Sequence, residues 1–180
     1  MISLDETDLR LLELLQTDAS LSNQDLAAAV NVSAATGLRR VRRLLEVGVI
    51  ERRVALLAPS VVGGLQALIE VQLDRQGIEH LDVFEALAVA DAAVQQCWRV
   101  SPGPDFVLVL WLADMAAYNT AATRLFTQQA NVRNVKTFFA TKRAKFEPRI
   151  DVRALSVGAG PLPSRPSAPS GGRERSELGG

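Results

Sequence analysis

One predicted helix, over residues 33–48, constrains this chain more than any other segment. Ser33 is typical of a helix N-cap, and Gly48 is typical of a residue just past a helix end. One face of the helix is apolar at helical spacing, through Leu38, Val41, Leu44 and Leu45. The remaining surface carries four arginines and one acid, namely Arg39, Arg40, Arg42, Arg43 and Glu46. Such a helix can pack on a small core and present guanidinium groups to a phosphate backbone. The pattern fits an ordinary solvent-exposed helix face, without nucleic-acid binding, equally well.

Two more helices are predicted before this one. The run from Ser22 to Asp25 resembles a capping box, and apolar residues at helical spacing follow it up to Val30. An earlier helix has Asp5 and Asp8 in its first turn, where acids favour the helix dipole. Two short helices joined by a tight turn, the second of them basic, are typical of a helix-turn-helix. We therefore predict a helix-turn-helix domain, winged-helix-like, over residues 1–50, with a strand or extended linker over 51–65.

In the second half of the chain, apolar residues recur with the period of strands as well as helices. Alternating or continuous apolar runs predict strands over residues 66–73, 94–100, 106–113 and 132–142, and helical stripes lie at 78–88 and 115–126. The order β-α-β-β-α-β predicts a ferredoxin-like domain over 66–149, so the fold class is α+β. The strand at 106–113 is apolar on both faces, which predicts that a second copy of the chain covers the face the two helices leave open.

Composition limits the remaining possibilities. Twenty basic and twenty acidic residues give a formal net charge of zero, so DNA binding would have to rest on a local basic patch. A single cysteine, Cys97, excludes an intramolecular disulfide and a cysteine-rich zinc site. The acidic start and the lack of a long apolar run predict a cytoplasmic protein without a membrane segment. The Pro-, Gly- and Ser-rich stretch at 150–180 is predicted to be a disordered tail, and deletion from Ser156 onward is expected to leave stability and DNA affinity unchanged.

The motifs of both halves together resemble the leucine-responsive regulatory protein (Lrp)/AsnC family of bacterial and archaeal transcription regulators. The resemblance runs from about Leu4 to Phe146. The opening Leu4-Asp-Glu-Thr-Asp8, the arginine-rich helix with Gly48-Val-Ile50, and Asp114-Met-x-x-Tyr118 carry it. It implies a regulator that binds double-stranded DNA, forms homodimers through the second domain and often octamers, and binds a small effector, commonly an amino acid. We predict no cofactor and no metal site.

The helix-turn-helix pattern also predicts which residues contact DNA. The N-terminal part of the second helix usually faces base edges, which favours Ala35, Thr36, Arg39 and Arg40, with Ser33 at the cap. Phosphate contacts, which position the protein without specifying sequence, are assigned to Arg43, Arg52 and Arg53. For Arg42 the alternative is a surface ion pair with Glu46, four residues on.

Effector contacts are implied mainly by the resemblance. Asp105, in a loop with Gly103, is expected to accept a hydrogen bond from a ligand ammonium group. Positions where the family sets its effector response match Met115, Phe138, Phe139 and Ala140. The alternatives are that Asp105 bonds its own backbone in a turn, and that one of the two phenylalanines points into the core. The loop Gly103-Pro-Asp105 departs from the family's Gly-x-x-Asp by one residue.

The sequence is also compatible with two other classes of function. A chromosome-organising protein that binds DNA with little sequence preference and no ligand would share the fold, and a steep salt dependence with equal affinity for unrelated duplexes would favour it. An enzyme is a weaker alternative, because the single histidine, His80, has no nucleophile or carboxylate constellation predicted beside it. We therefore assign no catalytic residue.

Overall fold

The computed structural model describes residues 3–154, which divide into two compact units. The first contains residues 3–54 together with 147–154, and the second contains residues 55–146. The helices are α1 (Glu6–Thr17), α2 (Asn23–Ala29), α3 (Ala34–Glu46), α4 (Pro59–Val62), α5 (Ile78–Ala90) and α6 (Met115–Ala122), which continues into a π-helical turn (Thr123–Thr127). The strands are β1 (Leu65–Leu73), β2 (Val94–Arg99), β3 (Phe106–Leu112) and β4 (Val132–Phe139).

Helices α1, α2 and α3 close a small apolar core in the first unit. Buried side chains from all three meet there, namely Leu11, Leu26, Val30 and Val41. Gly37 lies where α3 meets α2, and a Cβ built on it would lie 3.0 Å from the Cβ of Ala27. The turn between these helices is completed by Asn31 at φ 56°, a left-handed conformation that asparagine tolerates.

Two features of this unit differ from the sequence prediction. Leu38, predicted to face the core, is 38% exposed, because the buried face of α3 is formed by Gly37, Val41 and Leu44 and Leu38 lies on its flank. Residues 51–58 form no strand and are exposed. Of the two predicted possibilities, a strand or an extended linker, the linker is therefore observed, and these residues do not form the β-wing of a winged helix. The short helix α4, which the sequence did not predict, follows this linker.

The second unit is an antiparallel four-stranded sheet in the order β2-β3-β1-β4. This confirms the predicted βαββαβ arrangement. One face packs against the two helices through buried side chains that include Ile69, Val71, Phe84, Phe106, Leu108, Leu110, Leu125 and Phe126. An irregularity in β2 between Val94 and Gln96 turns Cys97 toward this core. Burial, followed by the nearby Glu85 carboxylate, raises the pKa of Cys97 to about 11.

The core residues of α5 and α6 lie against one face of the sheet only, and the other face is partly exposed. Three large apolar side chains are exposed on it: Leu68 at 41%, Phe138 at 53% and Trp98 at 57%. Leu68 and Phe138 are direct cross-strand partners on β1 and β4. We call this surface the open face. On β1 it also carries the polar residues Gln66, Glu70 and Gln72, which flank Leu68.

A short C-terminal arm, residues 147–154, belongs to the first unit. The Ile150 N–H donates to Oε1 of Gln16 at 2.7 Å, and Nε2 of Gln16 donates back to the Ile150 carbonyl at 3.1 Å. The Arg153 guanidinium pairs with Glu6 at 2.8 Å and with Glu13. The predicted tail therefore begins too early, since Ile150 and Arg153 are bonded to α1. Residues 155–180, including the proposed deletion from Ser156, lie outside the described part of the chain.

Candidate nucleic-acid interface and ligand pocket

The outer face of α3 points away from the three-helix core. Ala35, Arg39, Arg42 and Glu46 recur on it at intervals of three and four residues, and all four are exposed. Neither Arg39 nor Arg42 forms an ion pair within residues 3–154, and the predicted alternative pair between Arg42 and Glu46 is not among those observed there. Two guanidinium groups are therefore free for an external anion.

The start of α3 is fixed by two hydroxyl side chains. The Ser33 hydroxyl oxygen accepts from the Thr36 N–H at 3.2 Å and donates to Oγ1 of Thr36 at 2.9 Å. Ser33 thus caps the helix as expected, and Thr36 is held against the cap, half-buried. Ala35, which is exposed beside them, leaves this end of the helix open to close approach.

Arg40 and Arg43 of α3 are bound to α1. Nη1 of Arg40 donates to Asp5 at 2.7 Å and to Asp8 at 2.8 Å. Nη1 of Arg43 donates to Asp8 at 3.1 Å, and its Nη2 donates to the Ser3 carbonyl at 2.9 Å. The Asp8 carboxylate is 1% exposed, so its charge is compensated within the protein.

The same two acids form the N-terminal cap of α1. The Asp5 side chain accepts from the Asp8 N–H at 2.9 Å, and the Asp8 side chain accepts from the Asp5 N–H at 3.3 Å. The backbone N–H of Asp8, followed by the Arg40 guanidinium, lowers the pKa of Asp5. The sequence contains a signal for the ion pairs between α1 and α3: two acids three residues apart in one helix, and an excess of arginine in another. Helix-dipole reasoning explained the two acids but did not predict that they bind the arginines.

This geometry changes the predicted role of Arg40. The sequence assigned it to base contacts, whereas in the structure its guanidinium lies against Asp5 and Asp8 and braces α3 on α1. Arg43, assigned to phosphate, shares that carboxylate. The remaining predicted phosphate ligands, Arg52 and Arg53, are exposed in the linker, with Arg52 3.8 Å from Glu51.

Asp105 braces the second unit. Its Oδ2 accepts from the Leu73 N–H at 2.7 Å and from Nε2 of Gln76 at 3.2 Å. Its own N–H donates to the Val71 carbonyl at 2.9 Å. Asp105 therefore holds the β2–β3 loop on the end of β1 and commits one carboxylate oxygen to the protein. Its side chain bonds a distant strand and not its own backbone, so this contact differs from the turn-residue alternative.

The predicted effector residues do not form one cluster within a single chain. Asp105 and Gly103 lie where β1 ends, whereas the Ala140 N–H donates to the Gln66 carbonyl where β1 begins. The two ends are separated by seven residues of strand, or roughly 20 Å.

The phenylalanines at that second end point in opposite directions. Phe139 packs edge-on against Tyr118 of α6, with ring centroids 5.0 Å apart, while Phe138 lies on the open face. Met115 is exposed at the start of α6. Phe139 thus faces the helix side of the sheet, but at 37% exposure it is not part of the core, so the alternative of a core phenylalanine is met in direction only.

A shallow pocket of about 280 Å³ opens on the open face beside the β2–β3 loop. Four residues with polar side chains and two loop residues line it, namely Glu70, Gln72, Asn134, Lys136, Gly103 and Pro104. Glu70 and Lys136 are direct cross-strand partners, with the Lys136 Nζ 3.9 Å from the Glu70 carboxylate. Of these residues the sequence identified only Gly103 as an effector residue. Pro104 is its neighbour in the loop, and the other four come together through the pairing register of β1 with β4.

Within residues 3–154, no three His, Cys, Asp or Glu side chains gather as a metal site. Nor does any helix in that range have the length and apolar character required to cross a membrane.

Comparison with known proteins matches both units. The model of the AsnC-type helix-turn-helix domain matches residues 4–45, and that of the Lrp/AsnC ligand binding domain matches residues 66–150. A leucine-responsive regulatory protein of Rhizobium meliloti is 33% identical over 152 residues, covering 84% of this chain and 97% of that protein. The DNA-binding transcriptional activator DecR of Escherichia coli K12 is 32% identical over 144 residues, covering 79% of this chain and 95% of that protein. A transcriptional regulator of Neisseria meningitidis, solved as an L-Met complex, superposes with a TM-score of 0.76 at 28% identity, covering 85% of this chain and all of that one.

The buried ion cluster generates a stability prediction. Asp8→Asn leaves Arg40 and Arg43 without their shared counter-charge and should lower the free energy of unfolding by about 3 kcal/mol. The control is Asp25→Asn, at the corresponding position of α2, where the carboxylate is exposed and accepts from Ser22 at 2.6 Å. Urea unfolding followed by circular dichroism measures both, and equal small losses would contradict the bracing role of Asp8.

Proposed function

The chain belongs to the Lrp/AsnC family of transcriptional regulators, and we propose that it reads DNA with the outer face of α3 and responds to a small zwitterion, most simply an amino acid. The observation that carries the DNA-binding assignment is the division of the α3 arginines. Arg39 and Arg42 are free, whereas Arg40 and Arg43 are bound to Asp8.

The free residues of α3 suit the major groove. An arginine can donate two hydrogen bonds to guanine, and small or apolar side chains contact the thymine methyl group. We assign base contacts to Arg39, Ala35 and the exposed Leu38 beside them. Phosphate contacts are assigned to Arg42, Arg52 and Arg53, which are exposed and flank that surface in sequence. Ser33 and Thr36 keep their predicted position at the helix start, where they fix its geometry.

Alanine substitutions at the adjacent residues Arg39 and Arg40 distinguish a DNA-contacting arginine from one that holds α3 against α1. Arg39→Ala should weaken binding to a specific duplex by about 1–3 kcal/mol and leave the melting temperature unchanged. Arg40→Ala should lower the stability of the first unit by about 3 kcal/mol, because Asp8 loses its closer partner. Fluorescence anisotropy and thermal unfolding measure the two effects. The assignment fails if Arg40→Ala alone removes DNA binding while the fold stays intact.

The open face supports pairing of two copies through their sheets. Leu68, Phe138 and Trp98 are exposed on the same face of the sheet. Such an apolar patch is unusual on a monomer, and a second sheet packed against it would remove these side chains from water. We therefore infer a homodimer formed by this face, which Lrp/AsnC regulators can extend to octamers or similar assemblies.

Pairing can be tested with a charge on the open face. Leu68→Asp places a carboxylate at the centre of the inferred interface and should give a monomer at micromolar concentration. The control, Val83→Asp, alters an exposed apolar residue of α5, at 72% exposure against 41% for Leu68. Multi-angle light scattering distinguishes the outcomes, and a Leu68→Asp protein with the same mass as the wild type would exclude this face.

The pocket on the open face has the charges that a free amino acid requires. Glu70 can accept from an ammonium group, and Lys136 can donate to a carboxylate, while Gly103 and Pro104 close one side. The regulator from Neisseria meningitidis was solved with L-Met, which is such a zwitterion. Asp105 contributes by holding the loop, and Met115, Phe138, Phe139 and Ala140, at the far end of β1, would require a second copy to reach the same ligand.

A thermal-shift screen of the twenty amino acids tests the pocket. At least one should raise the melting temperature of the wild type, and Lys136→Gln should remove that shift because the ligand carboxylate loses its partner. Arg133→Gln, which removes an exposed cation from the same strand, serves as the control. A lack of any shift in the wild type, or an undiminished shift in Lys136→Gln, would contradict the assignment.

A further inference from the structure

The unpaired cations of the described chain are not spread evenly. Nine of the seventeen lysine and arginine side chains of residues 3–154 are paired with acids. The eight with no ion pair in that range are Arg39, Arg42, Arg53, Arg75, Arg133, Lys142, Arg143 and Lys145. Three of these fall within the four-residue span 142–145, shortly after β4. The segment 140–146 contains no acid, and Lys142, Arg143 and Lys145 are exposed. In a chain of zero net charge, this is a local excess of positive charge.

Both ends of this basic segment are held. At its start, the Ala140 N–H donates to the Gln66 carbonyl beside β1. Past its end, Ile150 exchanges two hydrogen bonds with Gln16, and Arg153 pairs with Glu6 and Glu13 of α1. Lys145 precedes Ile150 by five residues, which limits their separation to about 17 Å of extended chain. The cations therefore lie only a few residues along the chain from the arm that is bonded to α1.

One contact also orders the middle of the segment. The Arg143 guanidinium lies 5.1 Å from the ring centroid of Phe146, in a cation–π arrangement. A side chain that is held in place before binding loses less entropy when it meets a ligand. The segment is thus partly preorganised rather than a free coil.

We propose that residues 142–145 form a second DNA contact, which binds the phosphate backbone while α3 reads the bases, and that the arm bonded to α1 anchors it. Three exposed cations along an extended segment match a long, repeating polyanion better than a small anion, which requires donors that converge on one point. The contact adds affinity without sequence preference. It rests on the proposed function of α3 and assigns a separate part of the chain to the same ligand.

A pair of charge-matched variants of the full chain tests the proposal. K142Q/R143Q removes two cations from the basic segment, and R75Q/R133Q removes two unpaired, exposed cations from elsewhere in the second unit. The probes are a duplex selected by the wild type from a random pool and an unrelated duplex. K142Q/R143Q should weaken binding to both about equally, with the slope of log affinity against log salt reduced by about 1.8. The control should match the wild type. An unchanged slope in K142Q/R143Q, or an equal change in the control, would overturn the proposal.

Two further variants separate the parts of the inference. Arg153→Gln keeps every cation of the segment but loosens its anchor, so it should weaken binding severalfold with the salt slope retained; wild-type affinity would overturn the anchoring role. Arg39→Ala should weaken the selected duplex more than the unrelated one. If it does so while K142Q/R143Q has no effect, the α3 assignment stands and the second contact is wrong.

Discussion

The charge of one buried carboxylate determines how the first unit presents its arginines. Asp8 is enclosed between α1 and α3, and a carboxylate in that position requires a partner of opposite charge. Arg40 and Arg43 supply it. Because successive residues of a helix are rotated by about 100°, fixing these two toward α1 turns Arg39 and Arg42 away from it. Structural and DNA-facing arginines are therefore separated by helix geometry, in a run where composition alone treats them as equivalent.

Helix α1 also explains how a neutral chain retains accessible positive charge. Its acids face different partners: Asp5 and Asp8 bind α3, while Glu6 and Glu13 bind Arg153 of the C-terminal arm. The acidic groups are thus used inside the unit, where they hold its parts together. Among residues 3–154, the cations that remain outside such pairs fall mainly on α3 and in the segment 142–145. Net charge is a poor guide to binding here, because what matters is which charges are already neutralised.

The two periodicities in the sequence were sufficient to predict both folds. Period 3.6 identified the three N-terminal helices, period 2 identified the strands, and their order indicated the ferredoxin-like topology. The sites were harder, because they depend on distances that no local pattern encodes. Arg39 and Arg40 are indistinguishable without α1 opposite them, and Glu70 meets Lys136 only through the pairing register. The bonded residues at 150–154 were missed because two specific contacts do not alter a composition dominated by Pro, Gly and Ser.

The proposed ligand pocket and the pairing surface share their strands. Along β1, Leu68 of the apolar patch precedes Glu70 of the pocket by two residues, and on β4 Phe138 follows Lys136 by two. Side chains two apart on a strand point to the same face, so a second sheet packed on Leu68 and Phe138 would border the pocket. A ligand bound there would then interact differently with one copy and with a pair. Linkage requires that a ligand bound more tightly by the pair strengthens pairing by the same factor. The open face can in this way couple effector binding to assembly without a separate moving element.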